Sequence, residues 1–203
     1  MHIPSRERAE LYLLEAQSLN PGPWVDHSRR VAEAAGYIAG AHPHLDAESA
    51  YILGLLHDIG RRSGVTDMRH VLDGYRFLLA EGYPDAARAC LTHSFPVKTP
   101  FAGAGKWDCS PEEIQFIQKS LEEIEYNRYD ELIMLCDCLA LPTGFCLIEK
   151  RLVDVALRHG FNDYTLEKWR AFFAIRDRFE AEIGGSIYSL LPGVMVQTFG
   201  FEP

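Results

Sequence analysis

Apolar side chains recur three or four residues apart along nearly the whole chain, and runs that alternate apolar with polar are almost missing. A period near 3.6 marks helices with one buried face, whereas a half-buried strand needs a period of two, so the expected class is all-α. Residues 5 to 19 read as a first helix, with Leu11, Leu14 and Leu19 roughly on one side and the turn NPGP at 20 to 23 as its stop. A second covers 24 to 41, where His27, Val31, Ala34 and Ile38 follow one stripe, so that a histidine projects from the buried face. A third starts at an Asp46 cap and runs through YILGLLHDIG to stop near Gly60. A fourth covers 67 to 82 with His70, Gly74, Phe77 and Leu78 aligned, and a fifth covers 84 to 92 with His93 at its end.

Residues 94 to 110 hold Pro96, Pro100, Gly103 and Gly105 with little periodicity, the composition of a long loop that can serve as a lid or a substrate wall. Ser110-Pro111-Glu112-Glu113 is a helix start with an N-cap, a first-turn proline and a capping-box glutamate, and its helix is expected to reach about Tyr126. Another is expected from 130 to 141, with Ile133, Met134, Asp137 and Leu141 on one face and Pro142 and Gly144 as breakers. Two more, at about 146 to 159 and 165 to 183, end at Gly160 and Gly184, and the tail from Ser186 reads as irregular.

A chain of 203 residues, 47% hydrophobic and 24% charged, suits one domain over 1 to 203, with a core at about 20 to 145 and C-terminal helices at 146 to 185 packed on it. At this length the core suffices for folding, so a metal here would serve chemistry. The net charge of −9 argues against a nucleic-acid binder that grips phosphates, yet a local cluster of cations can still hold one small phosphorylated substrate. Five cysteines without a CxxC pair suit a reducing cytoplasm. Neither a signal peptide nor an apolar run of about 18 residues is found, so no membrane partner is expected.

Four histidines and two aspartates fall at inward positions near the ends of separate helices: His27, His57, Asp58, His70, His93 and Asp137. Imidazole and carboxylate are costly to bury without partners, and helices can converge such groups on a metal. Nitrogen and oxygen donors without thiolate favour Fe, Mn, Co, Ni or Zn over calcium.

At these residues the sequence resembles the HD-domain superfamily of metal-dependent phosphohydrolases. The match is His27 within DHSRRVAEAA, the pair His57-Asp58 within GLLHDIG, and Asp137, in the order H…HD…D, while His70 in HVLDGY and His93 in LTHSF resemble the extra histidines of binuclear members. The resemblance implies an all-α bundle with additional C-terminal helices and one or two divalent ions. The first would be held by His27, His57, Asp58 and Asp137, and the second by His70 and His93 with Asp58 bridging. His57 and Asp58 are then the catalytic pair, and the implied activity is hydrolysis of a nucleotide or other small phosphoester. Relatives that cleave cyclic dinucleotides have two adjacent histidines where this chain has His93-Ser94, and carry a GYP segment absent here, so that subfamily is set aside. Two other readings accompany the hydrolase: an HD-type di-iron oxygenase that cleaves C–C or C–P bonds, and a binding module without turnover.

Arg61, directly after HDIG, is the first candidate for binding phosphate, followed by Lys98 and Lys106 in the long loop, with Arg30 on the shoulder of the second helix. His42 and His44 read as solvated loop residues, and His159 as a charge favoured at a helix C-terminus. Cys136 and Cys138 read as small core residues. Trp169, Phe172, Phe173 and Phe179 suit the core or a homodimer face, which leaves Phe101 and Trp107 in the long loop as candidates to stack on a nucleobase.

Overall fold

The structure, a computed structural model, describes residues 1–201. It is all-α apart from one small hairpin. Helix α1 (Arg6–Leu19) leads to α2 (Pro23–Ala41) and α3 (Ala47–Leu56), followed by a 3-10 turn at Ile59–Ser63. Next come α4 (His70–Ala80), α5 (Pro84–Thr92), a short 3-10 turn at Pro100–Ala102, α6 (Pro111–Glu123) and α7 (Arg128–Asp137). Strands β1 (Ala140–Leu141) and β2 (Gly144–Phe145) precede α8 (Ile148–His159), α9 (Thr165–Ile183), a 3-10 turn at Ile187–Leu190 and α10 (Val194–Phe199).

The five helices that carry the histidines and aspartates form the centre. α2 lies along α3, α4 along α5, and α7 packs against α2, α3 and α5. Local chemistry sets most of the helix starts: Ser5, Asp46, Ser110 and Asn127 each accept a backbone N–H of the first turn, and Ser110 with Glu113 completes the capping box. One apolar cluster runs through Leu13, Ile38, Leu56 and Leu135 and continues without a break into Leu152, Phe172 and Phe179 of α8 and α9. A smaller cluster, with Leu72, Leu91, Phe95 and Leu121, seats α6 on α4 and α5.

Several elements depart from the expected limits. α3 ends at Leu56, and Gly60 lies inside the following 3-10 turn instead of stopping a helix. Its role is close approach: a Cβ there would lie 2.0 Å from the His70 carbonyl oxygen and 2.4 Å from the Gly74 nitrogen, so only glycine lets the turn rest on the backbone of α4. α7 ends at Asp137, because residues 140 and 141 turn back and pair antiparallel with 145 and 144. The tail forms a 3-10 turn and α10 in place of irregular chain. In α1 the buried stripe is Ala9, Tyr12, Leu13 and Ala16, while Leu11, Leu14 and Leu19 are half or more exposed. Leu14 sits one residue, about 100°, from Leu13, and the alanines let the helix lie close to its neighbours. His42, expected in solvent, is buried, with Nε2 2.8 Å from Glu182 Oε2 and its ring against Phe179, because the end of α9 returns over the loop. His44 is exposed. No helix among the described residues is long and apolar enough to cross a membrane.

Candidate metal centre

His57 caps α3 and Asp58 follows it, His70 opens α4, His93 caps α5, His27 lies one turn into α2 and Asp137 ends α7. The structure brings all six together, and all but His57 line one cavity. His57 Nδ1 is 2.7 Å from the Gly54 carbonyl, His70 Nδ1 2.5 Å from that of Asp67 and His93 Nδ1 2.9 Å from that of Cys90. A carbonyl can only accept, so each Nδ1 carries a proton, and each ring turns its Nε2 inward. This is the arrangement in which an outer partner orients a ligating imidazole.

These inward atoms converge. His70 Nε2 and His93 Nε2 are 3.4 Å apart, and Asp58 Oδ1 lies 3.1 Å from the first and 3.6 Å from the second. Two imidazole nitrogens and a carboxylate oxygen this close together form a donor set that suits a cation between them. On the other side of Asp58, the donor atoms of His27, His57 and Asp58 lie within 4.8 Å of one another, and His27 Nε2 is 2.9 Å from Asp137 Oδ1. His27 Nδ1 is buried with no partner among the described residues. Two donor groups thus share Asp58, and both fit a divalent transition metal.

The electrostatics hold the donors in their ligating forms. Burial lowers the pKa of His57, and takes that of His93 down to about 3 with help from the neighbouring His57, so both rings are neutral at pH 7. For Asp58 burial acts upward, but Arg61, His70 and His57 outweigh it and keep the carboxyl well below its usual range. Asp137 is likewise held low against burial, chiefly by its hydrogen bond to His27.

The donors, His57 excepted, line a cavity of about 600 Å³. Arg61 lines it as expected, and its Nε donates to Asp58 Oδ2 at 2.7 Å, which leaves Oδ1 to the His70 and His93 side. The two lysines of the long loop are elsewhere. Lys98 Nζ donates to the Ile124 carbonyl at 2.6 Å and lies over the Tyr126 ring, so it ties the loop to the end of α6. Lys106 lines an adjoining chamber, not the metal cavity. Arg30 pairs with Glu33 on the helix shoulder. Trp107 is stacked on Phe95 and donates to the Pro100 carbonyl, and Phe101 is exposed outside the cavity, so neither is placed to stack on a ligand there.

The other cations that line the cavity come from α8 and α9. Arg151 Nη2 is 4.0 Å from Asp137 Oδ1, and Lys168 and Arg158 border the same space, as do His159, Phe172 and Cys138. Arg151 and Arg158 are seven residues apart on one face of α8, a spacing visible in the sequence, but only the packing of α8 shows which way that face is turned. Asp108 was also hidden. Its carboxylate accepts the backbone N–H groups of Asp67 and Arg69, each at 2.7 Å, and so fixes the turn that presents His70.

A family model described as HD domain matches residues 24–141. Ribonuclease Y of Chlorobaculum tepidum is 50% identical over 54 residues, which are 27% of this chain and 10% of that relative. No solved structure matches. The family match takes in more than half of the chain and every one of the six donors, and on that ground the chain belongs to the HD domain family.

Proposed function

We propose that this protein is a metal-dependent phosphohydrolase of small phosphoesters, nucleotides among them. The observation that carries the reading is the pair of donor groups sharing Asp58 beside a cavity whose walls include Arg61, Arg151 and Lys168. Divalent ions held by these residues would supply Lewis acidity and a water nucleophile at neutral pH. The chain's own part is to hold and orient. His27, His57, Asp58 and Asp137 would ligate one ion, and Asp58, His70 and His93 the other. Arg61, Arg151 and Lys168 would take the charge of the phosphoryl oxygens, which grows toward the transition state.

Ribonuclease Y cleaves RNA by its name, but the stretch shared with this chain is a tenth of that protein. With a net charge of −9, the chain favours a small substrate over a polynucleotide. The test is metal analysis of protein purified without added metal, followed by phosphate release from a panel of nucleotides, sugar phosphates and a short RNA. Metal-dependent release from small phosphoesters, abolished by Asp58→Asn and by chelation, is expected. Two irons per chain with dioxygen uptake and no phosphate release would overturn the hydrolase in favour of an oxygenase, and failure to take up any metal would leave a binding module.

A further inference from the structure

Beside the metal cavity lies a chamber of about 310 Å³, walled on one side by residues 102–106 and on the other by α8, α9 and the loop between them. Asp67, Gly105, Leu152, Arg158, His159 and Lys168 line both spaces, so the two adjoin. α8 and α9 lie beyond the residues that match the family model, whereas the loop wall at 102–106 lies within them.

Its wall is held firmly. Asn162 Nδ2 donates to the carbonyls of Phe101 and Gly103, and Lys168 Nζ to that of Ala102 between them, each at 3.1 Å. Three consecutive carbonyls of the long loop are therefore clipped to the start of α9. Further along, the Lys106 N–H donates to Asp67 Oδ2 at 2.7 Å, and a Cβ on Gly105 would lie 2.0 Å from Asp67 Oδ1, so the loop passes this carboxylate only as glycine. The Asp67 carbonyl in turn accepts from His70 Nδ1. One residue thus joins the chamber wall to the metal centre.

The chamber has apolar walls and a cation at its junction with the metal cavity. Ala156 and the ring of Trp169 line the chamber alone, Leu152 and Val155 line both spaces, and Phe161 stands beside Trp169, 73% exposed, with ring centroids 6.1 Å apart. Arg158 is occupied by Asp154 at 2.9 Å. Lys168, at the junction, has one hydrogen-bond acceptor among the described residues, the Ala102 carbonyl, which leaves two of its three N–H groups to a ligand.

We propose that this chamber receives the organic body of the substrate, a phosphomonoester whose leaving group carries a flat ring, with the ring on Trp169 and the anionic group at Lys168. The inference rests on the phosphohydrolase reading. It is tested by calorimetry of the metal-loaded protein with non-hydrolysable probes: methylphosphonate, and phenylalkylphosphonates with one to four methylene spacers. The best phenylalkyl probe is expected to bind about tenfold tighter than methylphosphonate, the size of one stacked ring. Trp169→Ala should remove that advantage and leave methylphosphonate binding unchanged, whereas Lys168→Gln should weaken both. Phe161→Ala, at an exposed position, should reduce the ring preference without risk to the fold. Equal binding of all probes by the wild type, or a ring advantage that survives both aromatic substitutions, would overturn the chamber proposal alone. If no phosphonate binds at all, the phosphoester reading falls with it.

Discussion

His70 and His93 face each other through their Nε2 atoms, and Asp58 Oδ1 completes the triangle. A single side chain therefore decides how many ions the site can hold. Loss of His93 removes a donor from one group only, so His93→Ala should lower metal stoichiometry from two ions per chain to one. Asp58→Ala removes the shared donor and should lower affinity at both, which plasma mass spectrometry after equilibrium dialysis would read. Equal loss in the two variants would contradict two groups sharing Asp58. The convergence of these six side chains was legible in the sequence because each falls on the inward stripe of a helix or at its end. Lys98 turns away from the cavity and Lys106 lines the adjoining chamber instead, because a loop rich in proline and glycine has no period that tells which way its side chains turn, and the contacts that fix it come from Ile124 and Asp67, well separated in sequence.

At the scale of elements, the bundle is tied by polar contacts between helices as well as by its apolar stripes. Asp130 on α7 is buried and takes both carboxylate oxygens to Arg88 Nε on α5 at 3.0 Å, one to Thr92 at 3.1 Å and one to the N–H of its own cap residue Asn127 at 2.8 Å. Asp130 is buried but Arg88 is partly exposed, so water can meet part of the charge left behind, and Asp130→Ala should cost about 1–3 kcal/mol in urea denaturation. A loss under about 1 kcal/mol would show the pair to be solvated, as exposed ion pairs are. Glu113 caps α6 while pairing with Arg69 and Arg76, and the Ser110 N–H with those two guanidinium groups lowers its pKa from 4.5 to about 2. A carboxyl depressed in the fold stabilises fully above its unfolded value of 4.5, and that contribution disappears as pH falls toward about 2. Glu113→Gln should accordingly flatten the acid side of the stability curve across that window and lower stability at pH 7; an unchanged acid limb would refute the role. The helices themselves were legible from period and caps. The hairpin at 140–145 was not, since two-residue strands are too short to show alternation, and the exposure of Leu11, Leu14 and Leu19 depends on which face of α1 meets the bundle.

Over the whole molecule, the HD bundle supplies the donors while α8, α9 and the long loop supply the walls. Apolar packing is continuous between the two parts, from Leu135 to Phe172 and Phe179, so the cavity has a fixed floor and fixed sides. That division explains what could be foreseen. The six converging side chains belong to the matched family segment, whereas Arg151 and Lys168 reach the cavity, and Trp169 the chamber beside it, only through long-range packing that no local spacing records. Whether two metal positions share Asp58 can be read from anomalous diffraction by crystals of the metal-loaded protein. Two peaks are expected on either side of Asp58, one among His27, His57 and Asp137 and the other between His70 and His93. A peak at any other place, or none after loading with manganese, iron or zinc, would contradict a site shared through Asp58.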